Sequence, residues 1–472
     1  MAAPSTNYEP RCPAQGALYR IVHDHFETFR AQAASLREGE GLPRFVEQQF
    51  RDFLQCGWLA GGFARFHCDD CGLDRLVPFS CKGALCPSCG GRRMNERTAH
   101  LIDHVFPDVP VRQWVLSLPY RLRYQLAWDH DACRAVVAVF LRAVFGLLRA
   151  RGRDRGVADG RGGAVAVIQR FGGTLNLNVH IHALVLDGVF AKDGAGALNF
   201  YPAPRLTALD VAEVLAAVEP RIKRQLARGD GNDEGTEANA WEGAAPVLAG
   251  LAAASVQGIL ALGPRRGAPL ARLGVQREED ETLAPEGCHV RANGFDLHAG
   301  LVVPAGQRER LERVCRYALR PPVAQERLHV TSEGNVRLEL RQPWRDGTTA
   351  VVFDPVEFLG RLAVLVPRPR INLILYHGVL GPRAAWRAQV VPSLASEAAG
   401  REARGTDPAT VQACEADPAE TRRRHARGQC WASLMARSFH LRQGFGGLAV
   451  ARARRRLGLT CWRVPGAAAD CG

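Results

Sequence analysis

His180-Ile181-His182 lies inside the run Leu175 to Leu186, and strand alternation puts both imidazoles on one face with Leu184 and Leu186. Two imidazoles side by side on a rigid strand are one way to build a divalent-metal site, since imidazole is the commonest metal ligand. Packing in a core or at a surface is the other use of such a pair, and the tripeptide alone does not decide between them. Sulfur supplies a second chemistry. Cys68-x-x-Cys71 and Cys86-x-x-Cys89 form two knuckles separated by fourteen residues, each suited to two corners of a tetrahedron. The expected ligand set is Cys68, Cys71, Cys86 and Cys89 around a structural Zn²⁺, with no corner left for water. Cys56 and Cys81 are additional candidates, either as small buried residues or as alternates in the same shell. Lys82, Arg92 and Arg93 flank the second knuckle and suit a phosphate backbone, or else a solvated basic helix start. A third feature is Tyr317, at the edge of a helical stripe made by Leu311, Val314, Cys315 and Ala318, on the side shared with Arg313 and Arg320.

The elements that must position these residues follow from periodicity. Residues 17 to 55 read as helix, 56 to 94 as the cysteine module, and 95 to 106 as a second helix leading to the strand Gln113 to Leu118. A long helix over 132 to 149 precedes two adjacent strands, Gly163 to Phe171 and Val179 to Phe190. Residues 206 to 263 read as a helical insertion around an acidic, glycine-containing break. Strands resume near His289 and over Gly294 to Val303. The tyrosine helix, Gln307 to Leu319, is stopped by Pro321 and Pro322. Alternating runs at 328 to 340 and 348 to 353 predict a hairpin around Asp346-Gly347.

Composition narrows the class. The 472 residues have room for two or three domains, and 61 Lys+Arg against 48 Asp+Glu give a net charge of +13, which suits a polyanion. A general arginine and alanine bias would also raise that figure. Six of the fourteen cysteines fall between Cys56 and Cys89, a clustering that indicates metal rather than disulfides. Residues 1 to 8 lack the pattern of a signal peptide, and the most apolar helix carries Arg134, Arg142 and Arg149. The expectation is a soluble, cytoplasmic protein with no membrane span.

Taken in order, these motifs make the chain resemble the rolling-circle transposases of the insertion sequence 91 family, within the HUH endonuclease superfamily, and their common-region relatives. The resemblance covers roughly residues 45 to 390. It rests on Phe79-Ser80-Cys81-Lys82 with Cys86-Pro87-Ser88-Cys89 and Arg92-Arg93-Met94, and on Val111 to Pro119. It continues through Asn178-Val179-His180-Ile181-His182, Cys315-Arg316-Tyr317 with Arg320-Pro321-Pro322, Pro367-Arg368-Pro369, and Tyr376-His377-Gly378-Val379-Leu380. The resemblance implies that His180 and His182 hold Mg²⁺ or Mn²⁺ against a scissile phosphate, and that Tyr317 is a nucleophile forming a 5′-phosphotyrosine. A third ligand is expected; His298 is the first choice and Gln169, on the preceding strand, the second, while His377 fits a DNA contact or packing role. Arg313 and Arg320 join Lys82, Arg92 and Arg93 as DNA-binding residues. The DNA is expected as a single strand or hairpin at transposon ends, held by arginines and ring stacking.

Two departures stand out. Some members carry a second nucleophile four residues before the first; here that position is Arg313, so the chain reads as a one-tyrosine enzyme. Members often end in a Cys-Pro-x-Cys-Gly-Gly knuckle, whereas here an arginine-rich run follows residue 441. A reading-frame shift near that point is the hypothesis, and translation of the other frames tests it: no knuckle there removes the idea.

The expected fold is α+β, an antiparallel-sheet HUH endonuclease domain with a helical insertion, preceded by a small helical and zinc-binding domain. The expected boundaries are 1–105, 106–391 and a basic linker and tail over 392–472. Competing classes are a zinc-dependent DNA-binding protein without catalysis, a plasmid replication initiator or relaxase with the same chemistry, and a small-molecule metallohydrolase, which would need neither the zinc module nor the tyrosine.

Overall fold

The structure, a computed structural model, describes residues 12–36, 40–67, 74–230, 242–274, 287–391 and 459–462. In chain order, α1 (Ala17–Ser35) and α2 (Arg44–Leu54) precede a hairpin of β1 (Phe63–His67) and β2 (Asp74–Pro78). Helix α3 (Pro87–His104) leads into β3 (Val111–Ser117), α4 (Tyr120–Trp128) and α5 (His130–Arg153). Strands β4 (Gly163–Phe171), β5 (Leu177–Leu186), β6 (Gly188–Lys192) and β7 (Leu198–Pro202) are followed by α6 (Ala208–Asp230) and α7 (Pro246–Gln257). Then come β8 (Ala271–Gly274), β9 (His289–Ala292), β10 (Phe295–Val303) and α8 (Arg308–Leu319). Strands β11 (Leu328–Val330), β12 (Val336–Glu339) and β13 (Thr348–Phe353), helix α9 (Pro355–Leu365) and β14 (Ile374–Gly378) follow, and β15 (Leu459–Trp462) pairs with β1.

The central sheet runs β14-β4-β5-β3-β10-β9 with every pairing antiparallel, which is the α+β architecture expected. A second sheet, β11-β12-β13-β8, stands beside it. Helices cover both faces of the central sheet, so β4 is buried at every position and reads as a continuous apolar run rather than an alternating one. On one face, Val111, Val165, Leu184 and Leu186 pack against α3 and against Leu311, Val314 and Cys315 of α8. On the other, Trp114, Leu116, Ile181 and Ile168 join Val136, Val137 and Phe140 of α5 in a larger core. That core also takes in Phe26 and Phe29 of α1 and Phe358 of α9, so the N-terminal helices pack into the same apolar interior as the sheet. Burial of Leu311 and Val314 contributes roughly 1.5–3 kcal/mol each, which fastens α8 to the sheet.

Local chemistry explains where the elements begin and end. The stretch 17 to 55 is two helices, because Pro43 can cap α2 but cannot sit inside a continuous helix. Helix α3 starts at Pro87 rather than Asn95: Cys86 caps it by accepting the Cys89 amide at 3.5 Å, and proline occupies the first turn. Asn293 and Gly294 both have positive φ, giving the tight hairpin that joins β9 to β10. The stretch 179 to 190 bends at Asp187, whose carboxylate takes two bonds from the buried Arg112 guanidinium at 2.8 and 2.9 Å and ends β5 there. The expected hairpin around Asp346-Gly347 is present as β12 and β13. The tail read over 392–472, with its proposed frame shift, lies outside the described residues except for β15. No helix among the described residues is long and apolar enough to cross a membrane.

Candidate active site

Strand register brings the first two predicted residues together. His180 faces Ser117 on β3 and Gln169 on β4, and His182 faces Val115 and Val167. Directly opposed residues point to one face, so His180, His182, Gln169 and Gln113 share the side on which α8 packs. The two imidazole centroids are 4.9 Å apart, and both rings are buried. Burial, first, and then nearby cations or the neighbouring imidazole hold His180 down at about 4 and His182 at about 3, so both are neutral near pH 7. Neutral imidazole is the ligating form.

Tautomers follow from the partners. His180 Nδ1 lies 2.9 Å from the Asn178 carbonyl, which can only accept, so the proton is on Nδ1 and Nε2 carries a free lone pair. His182 Nδ1 lies 3.1 Å from the Gln113 carboxamide nitrogen, and its Nε2 is buried without a partner. Gln169 donates from Nε2 to the Ala318 carbonyl at 2.9 Å, which fixes the amide and leaves Oε1 buried and unpaired. Asn178 Oδ1 is also buried and unpaired. Buried polar atoms without partners are uncommon, and here three of them gather around one imidazole pair. Nitrogen and oxygen donors without thiolate suit a hard or borderline divalent cation such as Mg²⁺ or Mn²⁺.

Tyr317 projects from the last turn of α8, and its ring meets His182 edge-on at 5.8 Å between centroids. It is 42 % exposed, while the helix behind it is anchored by Leu311, Val314, Cys315 and Ala318. Arg320 and Arg341 lie over the phenol ring at 4.1 and 5.4 Å. Arg313, one turn earlier, is exposed.

His298 is not brought to this group. On β10 it faces Val115, which in turn faces His182, so one whole strand separates the imidazoles. Its ring packs against His289 at 5.7 Å instead. A shared face was readable from the strand pattern, but the strand order was not. His377 sits on the edge strand β14 opposite Ala164, on the far face of the sheet. Gln113 and Asn178 were not assigned a role from the sequence; strand alternation, which puts Gln113 on the same face as Val115, the partner of His182, was the available signal.

Among the described residues, the second knuckle gathers with the two additional candidates, Cys56 and Cys81. Sγ atoms of Cys56, Cys81, Cys86 and Cys89 all lie within 4.8 Å of one another. The separations Cys56–Cys86, Cys56–Cys89 and Cys81–Cys89 are 3.8, 3.6 and 3.6 Å. A tetrahedron with Zn–S near 2.3 Å has edges of about 3.8 Å, so the four sulfurs fit zinc and are far too separate for disulfides. Hydrogen bonds from Cys56 and Cys81 pull the Cys86 and Cys89 thiols below their ordinary range. Cys68 and Cys71 lie outside the described residues. The cluster joins the end of α2 to the start of α3. A Cβ on Gly90, in that first turn, would lie 2.7 Å from Pro321, so the knuckle presses directly on the segment that ends the tyrosine helix. Of the flanking cations, Lys82 is exposed, Arg92 pairs with Glu96 at 2.7 Å, and Arg93 bonds the Lys82 carbonyl.

A four-thiol module docked on an α+β domain, whose sheet carries a polar site beside a helix tyrosine, is the build of a DNA-processing enzyme with a zinc-binding part. Comparison with known families agrees. Residues 21–118 match the model described as a transposase zinc-binding domain, and residues 163–387 match the one described as "Putative transposase". No curated protein and no solved structure matches the chain. The chain belongs to the insertion sequence 91 family of transposases. Zinc binding and the transposase class follow from that membership together with the cysteine cluster.

Proposed function

We propose that this transposase nicks and rejoins single-stranded DNA at transposon ends through a 5′-phosphotyrosine on Tyr317, with His180, His182 and Gln169 holding a divalent cation. The observation that carries the reading is the contact of the Tyr317 ring with His182, beside a set of inward donors that have no protein partner. Bound there, the cation would supply Lewis-acid charge withdrawal from the scissile phosphate. The residues do the rest. Helix α8 holds the phenol at the mouth of the pair, and the Gln169 bond to Ala318 ties the last turn of that helix to β4. The Tyr317 oxygen attacks phosphorus and gives its proton to water. The bond from phosphorus to the 3′-oxygen breaks, and that oxygen leaves as a hydroxyl after taking a proton. Rejoining runs the same exchange backwards with a new 3′-hydroxyl, so the bond energy is retained and no ATP is consumed. Arg320 and Arg341 over the ring favour the developing phenolate and the phosphate it approaches.

By the same reading the structural zinc is held by Cys56, Cys81, Cys86 and Cys89. It keeps the first turn of α3 against Pro321 and so supports the nucleophile's helix.

The test uses single-stranded oligonucleotides covering both ends of the element that encodes the chain, labelled on the 3′ side of the nick. With Mg²⁺ or Mn²⁺ the wild-type protein acquires label that survives denaturation, and Tyr317→Phe acquires none. Absence of label on the wild type, or equal label on Tyr317→Phe, defeats the reading. A replication initiator or relaxase would label with origin DNA instead of element ends.

A further inference from the structure

A groove of about 1040 Å³ runs beside Tyr317, between the first turn of α3 and the second sheet. Its wall includes Tyr317, Arg320, Arg327, Arg341 and Trp344, with Glu326 as a lone carboxylate. No function given above to the catalytic pair or the cysteine cluster uses the second sheet. Among the described residues, none of the guanidinium groups of Arg320, Arg327 and Arg341 is ion-paired: Arg320 donates to the Tyr317 carbonyl at 3.3 Å and Arg327 to the Glu339 carbonyl at 2.7 Å. Burial, and then Arg341 and Arg320 beside it, draws the Arg327 guanidinium downward, with Glu326 and Glu339 offsetting part of that effect, so three cations converge on the groove.

Trp344 opens a tight turn in which Gly347 N–H bonds the Trp344 carbonyl at 3.0 Å, and its own N–H bonds Thr348 at 2.9 Å. Arg272 lies over the indole at 5.0 Å and is itself held by Asp346 at 3.1 Å. The indole is 37 % exposed, a large flat ring kept in place by its neighbours rather than by burial. Phe171, buried in the core at the groove's edge, carries the Arg320 guanidinium over its ring at 5.4 Å and so helps to place that cation. Exposed rings beside guanidiniums that no carboxylate pairs are what a single strand requires: rings for bases, which a duplex keeps stacked inside, and forks for phosphates.

We propose that this groove seats the single DNA strand, with a base stacked on Trp344 and the backbone held by Arg320, Arg327 and Arg341, so that the second sheet is a strand-guiding surface leading to Tyr317. The proposal rests on the reading of Tyr317 as the nucleophile, but its test does not use the chemistry. Binding is measured by fluorescence anisotropy of a labelled oligothymidylate to the Tyr317→Phe protein without added Mg²⁺ or Mn²⁺.

Trp344→Ala is expected to weaken binding roughly tenfold and Trp344→Phe to restore most of it. Arg341→Ala is expected to weaken binding and to lower the salt slope by about 0.7, one phosphate contact. Irradiating a 5-iododeoxyuridine-substituted strand on the Tyr317→Phe protein is expected to cross-link Trp344. Affinities of Trp344→Ala and Arg341→Ala within twofold of the parent, a duplex that competes as well as the strand, or a cross-link that maps away from the groove would each overturn it. Covalent label on Tyr317 with an indifferent groove removes this proposal alone; a responsive groove without label removes the catalytic reading alone.

Discussion

Gln113 sets the protonation of His182, and replacing it offers a quantitative test of the metal site. The two side chains are buried on neighbouring strands with 3.1 Å between the Gln113 carboxamide nitrogen and His182 Nδ1. In that arrangement the amide donates, Nδ1 accepts, and the imidazole proton sits on Nε2, where it blocks ligation. Turning the carboxamide over presents its oxygen, which accepts Nδ1–H and frees the buried Nε2. Metal loading therefore requires the acceptor end of residue 113. Gln113→Leu removes it and leaves a buried ring nitrogen unpaired. Loss of such an outer partner lowers metal affinity by about 10- to 100-fold, or about 1.4–2.7 kcal/mol, close to the ~1–3 kcal/mol of an unpaired buried donor. Gln113→Glu can only accept when ionised, so it pre-sets the ligating tautomer and should bind at least as tightly as wild type. The measurement is titration of Mn²⁺ by loss of its free-ion resonance, with zinc content and melting temperature as folding controls. A Gln113→Leu protein within twofold of wild type, or Gln113→Glu weakened as much as Gln113→Leu, would refute the argument.

Three further outcomes are expected. Gln169→Ala should weaken Mn²⁺ at least as much as Gln113→Leu, and His298→Ala should leave it within twofold; the reverse order would return His298 to the ligand set. Cys56→Ser and Cys81→Ser should each release the tightly held zinc and cost several kcal/mol of stability, whereas a Cys56→Ser protein that keeps both would point back to Cys68 and Cys71. Because burial depresses His180 to about 4 and His182 to about 3 from about 6.5 in the unfolded chain, the unfolded state binds more protons below that value. Metal-free protein should therefore keep this stability above pH 6.5 and lose up to about 1.4 kcal/mol per unit for each imidazole as pH falls towards 5; a urea midpoint flat across that window would contradict the burial argument.

Local patterns were legible wherever one periodicity dominated. The shared face of His180 and His182, the stripe that seats α8, and the hairpin that turns at Gly347 all follow from alternation or helical spacing without knowledge of neighbours. What escaped were relations between elements far apart in the chain. His298 satisfies the same alternation as the imidazole pair, but β3 enters the sheet between them, and nothing local to 295–303 reports that insertion. The cysteines are a similar case: Cys-x-x-Cys spacing favours Cys68 with Cys71, which lie outside the described residues, as the partners of Cys86 and Cys89, whereas the additional candidates Cys56 and Cys81 reach them because α2 and the segment before α3 fold back on each other.

That folding back explains why a structural metal module should precede a catalytic sheet in one chain. The cluster fixes Cys86 and Cys89, those two define the first turn of α3, and Gly90 in that turn admits Pro321 so closely that no side chain would fit. Pro321 follows Arg320, whose guanidinium covers the Tyr317 ring. Four short links thus run from sulfur to phenol, the last of them the Arg320 side chain. The imidazole pair is anchored separately, through β3, β4 and β5. The two supports meet at the 5.8 Å contact between His182 and Tyr317, and the Gln169 bond to Ala318 links them. Loosening the cysteine cluster should therefore displace the tyrosine more than the imidazole pair, which β3, β4 and β5 hold in place.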